Sequence, residues 1–301
     1  MRTVQSVTLE GVKTAVDLPV AAASDLAARV AQEHGVTITA VEDAQTANAA
    51  ADLLRDIWRT PNGWPLPPEV FLALGHTGNY VVAAYLDDVI VAASAGFRTG
   101  DAVPHLHSHI TGVTESCRHR SVGYAIKLHQ RAWALGQGIT AISWTFDPLH
   151  KRNARFNLAK LGGQLVTYLP NFYGEMLDEV NRGTPSDRAL IEWDLVQEVP
   201  QRGADSVVPN VADAAYLVVL DADGNPSAAA DLAGLVADAS TLTIALPDDI
   251  ESLRRTAPDL ALAWQQAVSA AFGQALGAGW SVVGFHPERH YVLRRSESHA
   301  S

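Results

Sequence analysis

The pattern of hydrophobic and polar residues divides the chain into short apolar runs and longer amphipathic stretches. Two apolar runs within residues 79–99 predict a pair of strands. Asp87 and Asp88 separate these runs and predict a hairpin turn, because aspartate tolerates tight-turn backbone and is poor in strand interiors. In residues 44–58 and 122–136 apolar side chains instead recur at helical spacing, which predicts two helices.

The predicted elements follow one another in the order β-α-α-β-β-β-α-β-α-β-β from residue 37 to residue 195. This order predicts an α/β (α+β) fold with a mixed sheet and helices on both of its faces. An N-terminal extension (1–36) precedes this domain (37–196), and an irregular linker of about 197–213 follows it. The remaining residues, 210–301, are predicted to form a C-terminal β/α accessory segment.

The accessory segment contains one long amphipathic stretch, "DLALAWQQAVSAAFGQAL", and no motif that carries chemistry. Its apolar residues recur at helical spacing and predict one buried face, formed by Leu260, Trp264, Ala267, Ala271 and Leu276. We expect this face to pack against the core of the same chain or against a second subunit, which would make a homodimer.

Composition narrows the classes of partner. The chain of 301 residues has a formal net charge of −11, and an acidic surface repels phosphate backbones, so no nucleic-acid partner is expected. Cys117 is the single cysteine, which excludes an internal disulfide framework and favours a reducing compartment. The sequence shows neither a secretory signal pattern nor an apolar run long enough to span a membrane. We therefore expect a cytoplasmic protein without a membrane partner.

A histidine stands at every second residue of the predicted strand "PHLHSHI". Strand alternation places His105, His107 and His109 on one face. Neutral imidazoles at this spacing are compatible with a metal site, with a catalytic base, or with three structural side chains.

The turn after this strand leads into a helix through Arg118–Gly123. A helix N-terminus presents unpaired N–H groups and the positive end of the helix dipole, and both favour a pyrophosphate. Gly123 allows a ligand to approach the backbone, and Arg118 and Arg120 add positive charge. The turn therefore indicates an anion-binding site.

This stretch resembles the coenzyme-A-binding motif of the Gcn5-related N-acetyltransferases, Val-x-Pro-x-x-Arg-Gly-x-Gly-x-Gly. Val113, Arg118 and Gly123 occupy their places in the motif. Three other positions depart from it, with Glu115, His119 and Ser121 in place of Pro, Gly and Gly. A second stretch, "RNARFNLAKLGG", resembles the second motif of the family, with Asn153 at its start and Lys160-Leu161-Gly162 at its end.

The resemblance covers about half of the chain and implies the family fold, in which strands 4 and 5 splay apart and the pantetheine arm lies between them. It implies an acyl-CoA as co-substrate, acetyl-CoA by default, with no metal. The residues that it assigns to coenzyme A are Thr111, Gly112, Val113, Arg118, His119, Arg120, Ser121, Val122, Gly123, Tyr124 and Asn153.

The resemblance also assigns catalytic candidates. His107, eleven residues before Arg118, occupies the usual place of the general base, and His107-Ser108-His109 is similar to a His-x-His pair in arylalkylamine N-acetyltransferases. An imidazole with its ordinary pKa of about 6.5 accepts a proton at neutral pH, and we expect His107 to be the base and His109 to assist it.

Two further residues are candidates, each with a structural alternative. Asp147 ends strand five and is expected either to face the reaction cleft or to cap the turn before Pro148. Many relatives carry a tyrosine that protonates the leaving thiolate, but Leu158 occupies that position here. Tyr173 is the candidate replacement, and a purely structural aromatic is the alternative.

The sequence thus predicts an acyl-CoA-dependent N-acyltransferase that acts on a small-molecule amine or an amino acid. A longer or acidic acyl group, such as succinyl, is not excluded. Two rivals remain: a degenerate member that binds coenzyme A as a sensor or scaffold, and a protein N-acetyltransferase.

Overall fold

The computed structural model describes residues 10–101, 103–174, 185–200, 209–288 and 290–295, with side chains described from residue 19 onwards. The chain divides into two compact units. The first unit comprises residues 1–58 and 62–142, and the second comprises 59–61 and 143–301. Within the described residues, no helix combines the length and apolar character that crossing a membrane requires.

The first unit is a sheet with helices packed on it. Its elements are α1 (Glu10–Glu33), β1 (Thr37–Ala40), α2 (Ala44–Trp58), α3 (Pro68–His76), β2 (Tyr80–Leu86), β3 (Val89–Arg98), β4 (Leu106–Val113) and α4 (Val122–Gly136). The strands lie in the order β1-β2-β3-β4, and each neighbouring pair is antiparallel. A buried cluster of Ala, Leu, Val and Phe side chains from α2, α3, β2 and β3 forms the core of this unit.

The predicted hairpin between β2 and β3 is confirmed. Leu86 pairs with Val89, which leaves Asp87 and Asp88 as a two-residue turn. Their φ angles are 47° and 62°, the left-handed backbone that such turns require and that aspartate tolerates.

The N-terminal helix is longer than the sequence pattern suggests. Ser24 and Asp25, which resemble a helix start, lie inside α1, and this helix packs against α4 within the first unit. Gly35, with φ of 63°, follows the end of the helix in the left-handed conformation that commonly terminates helices.

The second unit contains two groups of strands. β5 (Ala141–Phe146) begins in the first unit and continues into the second, where the order is β5-β7-β6. The other elements of the first group are α5 (Lys151–Ala154), a π-helix (Arg155–Lys160), β6 (Gln164–Leu169) and β7 (Arg188–Asp194). The mixed α/β fold that the element order predicts is confirmed.

A five-stranded sheet in the order β11-β12-β10-β8-β9 occupies the C-terminal segment. Its elements are β8 (Ala215–Leu220), β9 (Pro226–Ala228), α6 (Leu232–Asp238), β10 (Leu242–Ala245), α7 (Ile250–Thr256), α8 (Pro258–Gly277), β11 (Trp280–His286) and β12 (His290–Arg295). The predicted long helix is α8. Its buried stripe includes Trp264 and Ala271, as expected, but it is completed by Ala261, Gln265, Val268, Phe272 and Ala275.

A buried lysine joins α4 to β4 in the first unit. The Nζ of Lys127 donates hydrogen bonds to Ser108 Oγ at 2.9 Å and to Gln130 Oε1 at 3.1 Å, and Lys127 is 5% exposed. Burial lowers the pKa of Lys127 from 10.5 to about 7, because the interior disfavours the charged amine. Near neutral pH this amine therefore carries a charge for only part of the time.

This buried lysine makes stability depend on pH. Its pKa is lower in the folded chain than in the unfolded chain, so the unfolded chain binds more protons between about pH 7 and pH 10.5 and the free energy of unfolding rises with pH across that window. In a Lys127→Met variant we expect this contribution, about 1–3 kcal/mol between pH 7 and pH 9.5, to be lost. Urea unfolding at several pH values measures the slope.

Lys151→Met is the control, because it removes the same charge from a side chain that is 39% exposed. It should retain the wild-type slope. Equal slopes in the wild type and in Lys127→Met would show that the buried amine does not titrate in this range.

Candidate functional site

A bulge in β4 shapes the histidine strand. Phe97 of β3 pairs with His107, and Ala95 pairs with Ile110, so Ser108 and His109 both stand opposite Gly96. A Cβ on Gly96 would lie 2.8 Å from the carbonyl oxygen of His107, which is too close for any other residue type. Glycine at this position therefore permits the bulge.

Two of the three histidines gather around one aromatic ring. The Phe97 ring centroid lies 5.2 Å from the His107 ring and 5.8 Å from the His109 ring, and the two imidazoles are 6.3 Å apart. His105 is held elsewhere, with its Nδ1 3.3 Å from Asp101 Oδ2 and 3.2 Å from Thr99 Oγ1. The structure thus brings His107 and His109 together and directs His105 toward the β3–β4 loop.

Both clustered imidazoles are uncharged at neutral pH. Burial, reinforced by the neighbouring His109, His105 and Lys127, lowers the pKa of His107 to about 4. Burial also lowers the pKa of His109, although part of this ring contacts solvent. A neutral imidazole can accept a proton, but a conjugate acid with a pKa of about 4 makes it a weak base.

The segment between β4 and α4 contains a 3₁₀ turn and a left-handed residue. Residues Glu115–Cys117 form a short 3₁₀ turn, and the N–H of Arg120 donates to the carbonyl of Cys117 at 3.0 Å. Ser121 follows with φ of 59° and ψ of 12°, in the left-handed region. This is a position where the related motif carries glycine, and the backbone angle explains that preference.

The first i→i−4 hydrogen bond of α4 defines which backbone N–H groups lie at the start of the helix. The first i→i−4 bond of the helix joins the Ala125 N–H to the Ser121 carbonyl at 3.0 Å, so the N–H groups of residues 122–124 precede it. Val122 and Tyr124 are buried. His119 and Arg120 are exposed.

Gly123 is not required by the packing of the protein itself. A Cβ at this position would meet only Val113 Cγ2, at an ordinary contact distance of 3.6 Å. Since Val113 ends β4 and Gly123 is near the start of α4, the two motif residues lie side by side. A glycine that the fold could replace is consistent with space kept for a ligand.

The remaining coenzyme candidates of the first unit are tied into the sheet or the turn. Thr111 Oγ1 lies 2.8 Å from Ser94 Oγ. A Cβ on Gly112 would lie 2.6 Å from Leu54 of α2, so this glycine allows α2 to pack directly on β4. The guanidinium of Arg118 lies 3.7 Å from the carboxylate of Glu115 within the turn.

The other candidates belong to the second unit. Asp147 Oδ2 lies 2.6 Å from Nη1 of Arg254, and its Oδ1 accepts a hydrogen bond from the Leu149 N–H at 2.9 Å. Burial raises the pKa of Asp147, but the charges of Arg254, His150 and Arg188 and the hydrogen bond from Leu149 together outweigh burial, so the pKa is lowered overall. This carboxylate is ionised, paired with Arg254 and accepts a hydrogen bond from the backbone of Leu149. These contacts favour a role for Asp147 in capping the turn before Pro148 over a role in the reaction cleft.

Two residues that follow Asp147 also make charged contacts with α7 or with the segment just before α7. His150 Nε2 lies 2.7 Å from Glu251 Oε1, and Lys151 Nζ lies 2.9 Å from Asp248 Oδ1. Together with Asp147–Arg254, these contacts fix the segment between β5 and α5.

Tyr173 and the second motif also lie in this unit. The Tyr173 hydroxyl is 3.1 Å from Thr145 Oγ1 of β5, and the side chain is 45% exposed. Asn153 lies half-buried in α5, and Leu158 is buried in the π-helix. The hydroxyl of Tyr173 is accessible, and its role as an acid stays a prediction.

Two features of the site escaped the sequence reasoning. An isolated glycine within a strand pattern, here Gly96, is a signal for a bulge. Lys127 also has a local signal of burial, because it stands between the apolar residues Ile126 and Leu128 and shares a helical face with Gln130. This signal is weak, because a single lysine in an amphipathic helix is usually exposed to solvent.

Comparison with known proteins identifies the first part of the chain. Residues 24–147 match the family model described as an acetyltransferase (GNAT) domain. The match begins inside α1, includes the histidine strand and the turn, and ends at Asp147. A search of curated proteins finds no match.

Solved structures give distant likenesses. An acetyltransferase of the GNAT family from Streptococcus pneumoniae is 12% identical, with a TM-score of 0.44 over 52% of this chain and 97% of its own. An N-acetyltransferase from Staphylococcus aureus Mu50 is 13% identical, with a TM-score of 0.44 over 53% and 98%. Arabidopsis thaliana Naa50, in complex with the bisubstrate analogue CoA-Ac-MVNAL, is 16% identical, with a TM-score of 0.40 over 52% and 97%.

The family model covers the turn before α4 that resembles the coenzyme-A-binding motif, and it ends before the second motif, which begins at residue 152. This match identifies residues 24–147 as an acetyltransferase domain of the Gcn5-related (GNAT) type.

Proposed function

We propose that this protein transfers an acyl group from an acyl-CoA, acetyl-CoA by default, to the amine of a small molecule or an amino acid. The observation that carries the proposal is the junction of β4 and α4, where a left-handed Ser121 and the unfilled space at Gly123 open a helix N-terminus. The match of residues 24–147 to an acetyltransferase domain supports the same reaction. The C-terminal segment, 210–301, is assigned an accessory role.

The junction suits the diphosphate of coenzyme A. The N–H groups of residues 122–124 precede the first i→i−4 bond of α4, where the helix dipole is positive, and Arg118 and Arg120 add charge. In this proposal the backbone of Thr111–Val113 holds the pantetheine arm. Asn153 of the second motif completes the proposed contacts.

The reaction requires a proton acceptor that stays neutral. The amine nitrogen attacks the thioester carbonyl carbon, the C–S bond breaks, and the nitrogen loses a proton. His107 accepts that proton from the nitrogen of the tetrahedral intermediate, after the new C–N bond has formed, and His109 assists it. A coenzyme thiol with a pKa near 8.5 leaves as a thiolate, which water can protonate.

The low pKa of His107 defines when it can act. Removing a proton from a free ammonium of pKa about 10 would be uphill by about six units, or about 8 kcal/mol. Once the nitrogen has attacked the carbonyl, it is far more acidic, so a weak base suffices. His107 is therefore proposed to act late, on the tetrahedral intermediate.

The coenzyme site is tested by Gly123→Val. A branched side chain at the helix start would occupy the space proposed for the diphosphate, while its Cβ makes only an ordinary contact with Val113. We expect affinity for acetyl-CoA, measured by calorimetry, to fall about 10-fold or more, which is a loss of about 1.4 kcal/mol.

Gly136→Val is the matched control, since it makes the same substitution at the last residue of α4, where a Cβ meets nothing within 4 Å. Its affinity should match the wild type. Unchanged affinity in a folded Gly123→Val variant would move the coenzyme away from this turn.

The proton acceptor is tested by His107→Ala. Turnover, followed as free thiol with a panel of amines, amino acids and acyl-CoAs, should fall about 10²–10⁴-fold with little change in acyl-CoA affinity. The ratio of wild-type to variant rates cancels the ionisation of the substrate. With a His107 pKa of about 4 this ratio should be constant above about pH 5.5 and decline only below it.

His105→Ala controls for the loss of a strand imidazole, because its ring lies against Asp101 and Thr99. A His107→Ala enzyme with normal turnover would remove the histidine from catalysis. A wild-type protein that binds acetyl-CoA tightly but releases no thiol with any acceptor would favour the sensor or scaffold alternative.

A further inference from the structure

The β11–β12 hairpin of the second unit carries three potential metal ligands that the acyl-transfer proposal does not use. His286 and His290 are directly opposite residues in the register of the two strands, and Glu288 lies in the turn between them. One ligand atom from each residue lies within 4.8 Å of the other two.

The hairpin backbone holds the two imidazoles on one side. Directly opposite residues of an antiparallel pair project from the same face. The two rings are 6.2 Å apart and nearly parallel, with an interplanar angle of 23°. Both histidines are half-buried, whereas the side chain of Glu288 is 75% exposed.

Neighbouring groups restrain the two rings. The N–H of Glu288 donates to Nδ1 of His286 at 3.2 Å, and the Tyr216 ring packs edge-on against His290 at 5.6 Å. β12 lies between β11 and β10 in the sheet, so His290 stands on a central strand. Ordered ligands reduce the entropy that is lost when a metal binds.

We propose that His286, Glu288 and His290 form a binding site for a transition-metal dication of the zinc class. Two neutral imidazoles and one carboxylate are typical zinc ligands, whereas magnesium and calcium prefer oxygen alone. A fourth position remains for water or an external ligand. The bound ion would connect the two strands of the hairpin across its turn.

The distances require only a small closure. Zinc bonds of about 2.0–2.1 Å in a tetrahedron place ligand atoms about 3.3–3.5 Å apart. Relative to the 4.8 Å limit, this is a closure of at most about 1.5 Å. The exposed side chain of Glu288 can provide most of it by rotation about its own torsions.

The test uses the full chain without an affinity tag, stripped of metal by a chelator. Calorimetric titration with Zn²⁺ should give about one equivalent bound, and Co²⁺ should develop the visible absorption of a tetrahedral ion. Mg²⁺ should not bind. Glu288→Gln, at an exposed position, should weaken Zn²⁺ binding about 10-fold or more, and His290→Ala should abolish it.

A double variant, His107→Ala with His109→Ala, is the control, because it removes the histidine pair of β4. It should bind Zn²⁺ like the wild type. The proposal is overturned if the wild type binds no equivalent of Zn²⁺, if Glu288→Gln and His290→Ala both bind normally, or if the double variant loses the site.

Discussion

The candidate site depends on the bulge in β4, where two residues of β4 lie opposite one residue of β3. Strict alternation would place His107 on the same face as Val113, which contacts the start of α4. Because Ser108 and His109 together oppose Gly96, the alternation of side chains between the two faces of β4 shifts by one residue. His107 therefore lies on the same face as Phe97 and Gly112. One extra residue thus separates the imidazoles from the helix that begins with the proposed phosphate site.

The same strand carries proton-binding groups on both of its faces. Ser108 is turned toward Lys127, whose charge helps to lower the pKa of His107. Protonation on one face therefore disfavours protonation on the other, and at neutral pH the imidazole face stays uncharged. An uncharged, partly desolvated wall suits a neutral thioester and an amine that must lose its proton.

Much of the fold was predictable because its helices, strands and turns are determined by residues that are close together in the sequence. The order of elements, the Asp87–Asp88 turn and the start of α4 each depend on a few neighbouring residues, and the structure confirms them. Long-range register is not local, so the bulge opposite Gly96 could not be derived from strand periodicity. The pair His107–His109, which spacing and resemblance single out, is brought together in the structure, and its catalytic role stays a prediction.

Other features depend on partners that the sequence does not pair. Asp147 looked like a cleft residue or a cap, and its contact with Arg254 could not be read from the chain. The buried stripe of α8 is shifted relative to the expected face, because its boundaries are set by what packs on both sides of the helix. Lys127 has one partner on its own helix, Gln130, but its contact with Ser108 of β4 joins two elements that the sequence does not pair.

The ion pairs that fix the segment after β5 have a consequence for how the protein folds. They join residues 97, 101 and 107 positions apart: Lys151 with Asp248, His150 with Glu251, and Asp147 with Arg254. Contacts this distant in sequence close large loops and tend to form late. During synthesis at about 5–20 residues per second, the segment waits roughly 5–20 s for its partners to be made. Until then its charged side chains are solvated, so the contacts that hold residues 147–151 form only after residues 248–254 have been made.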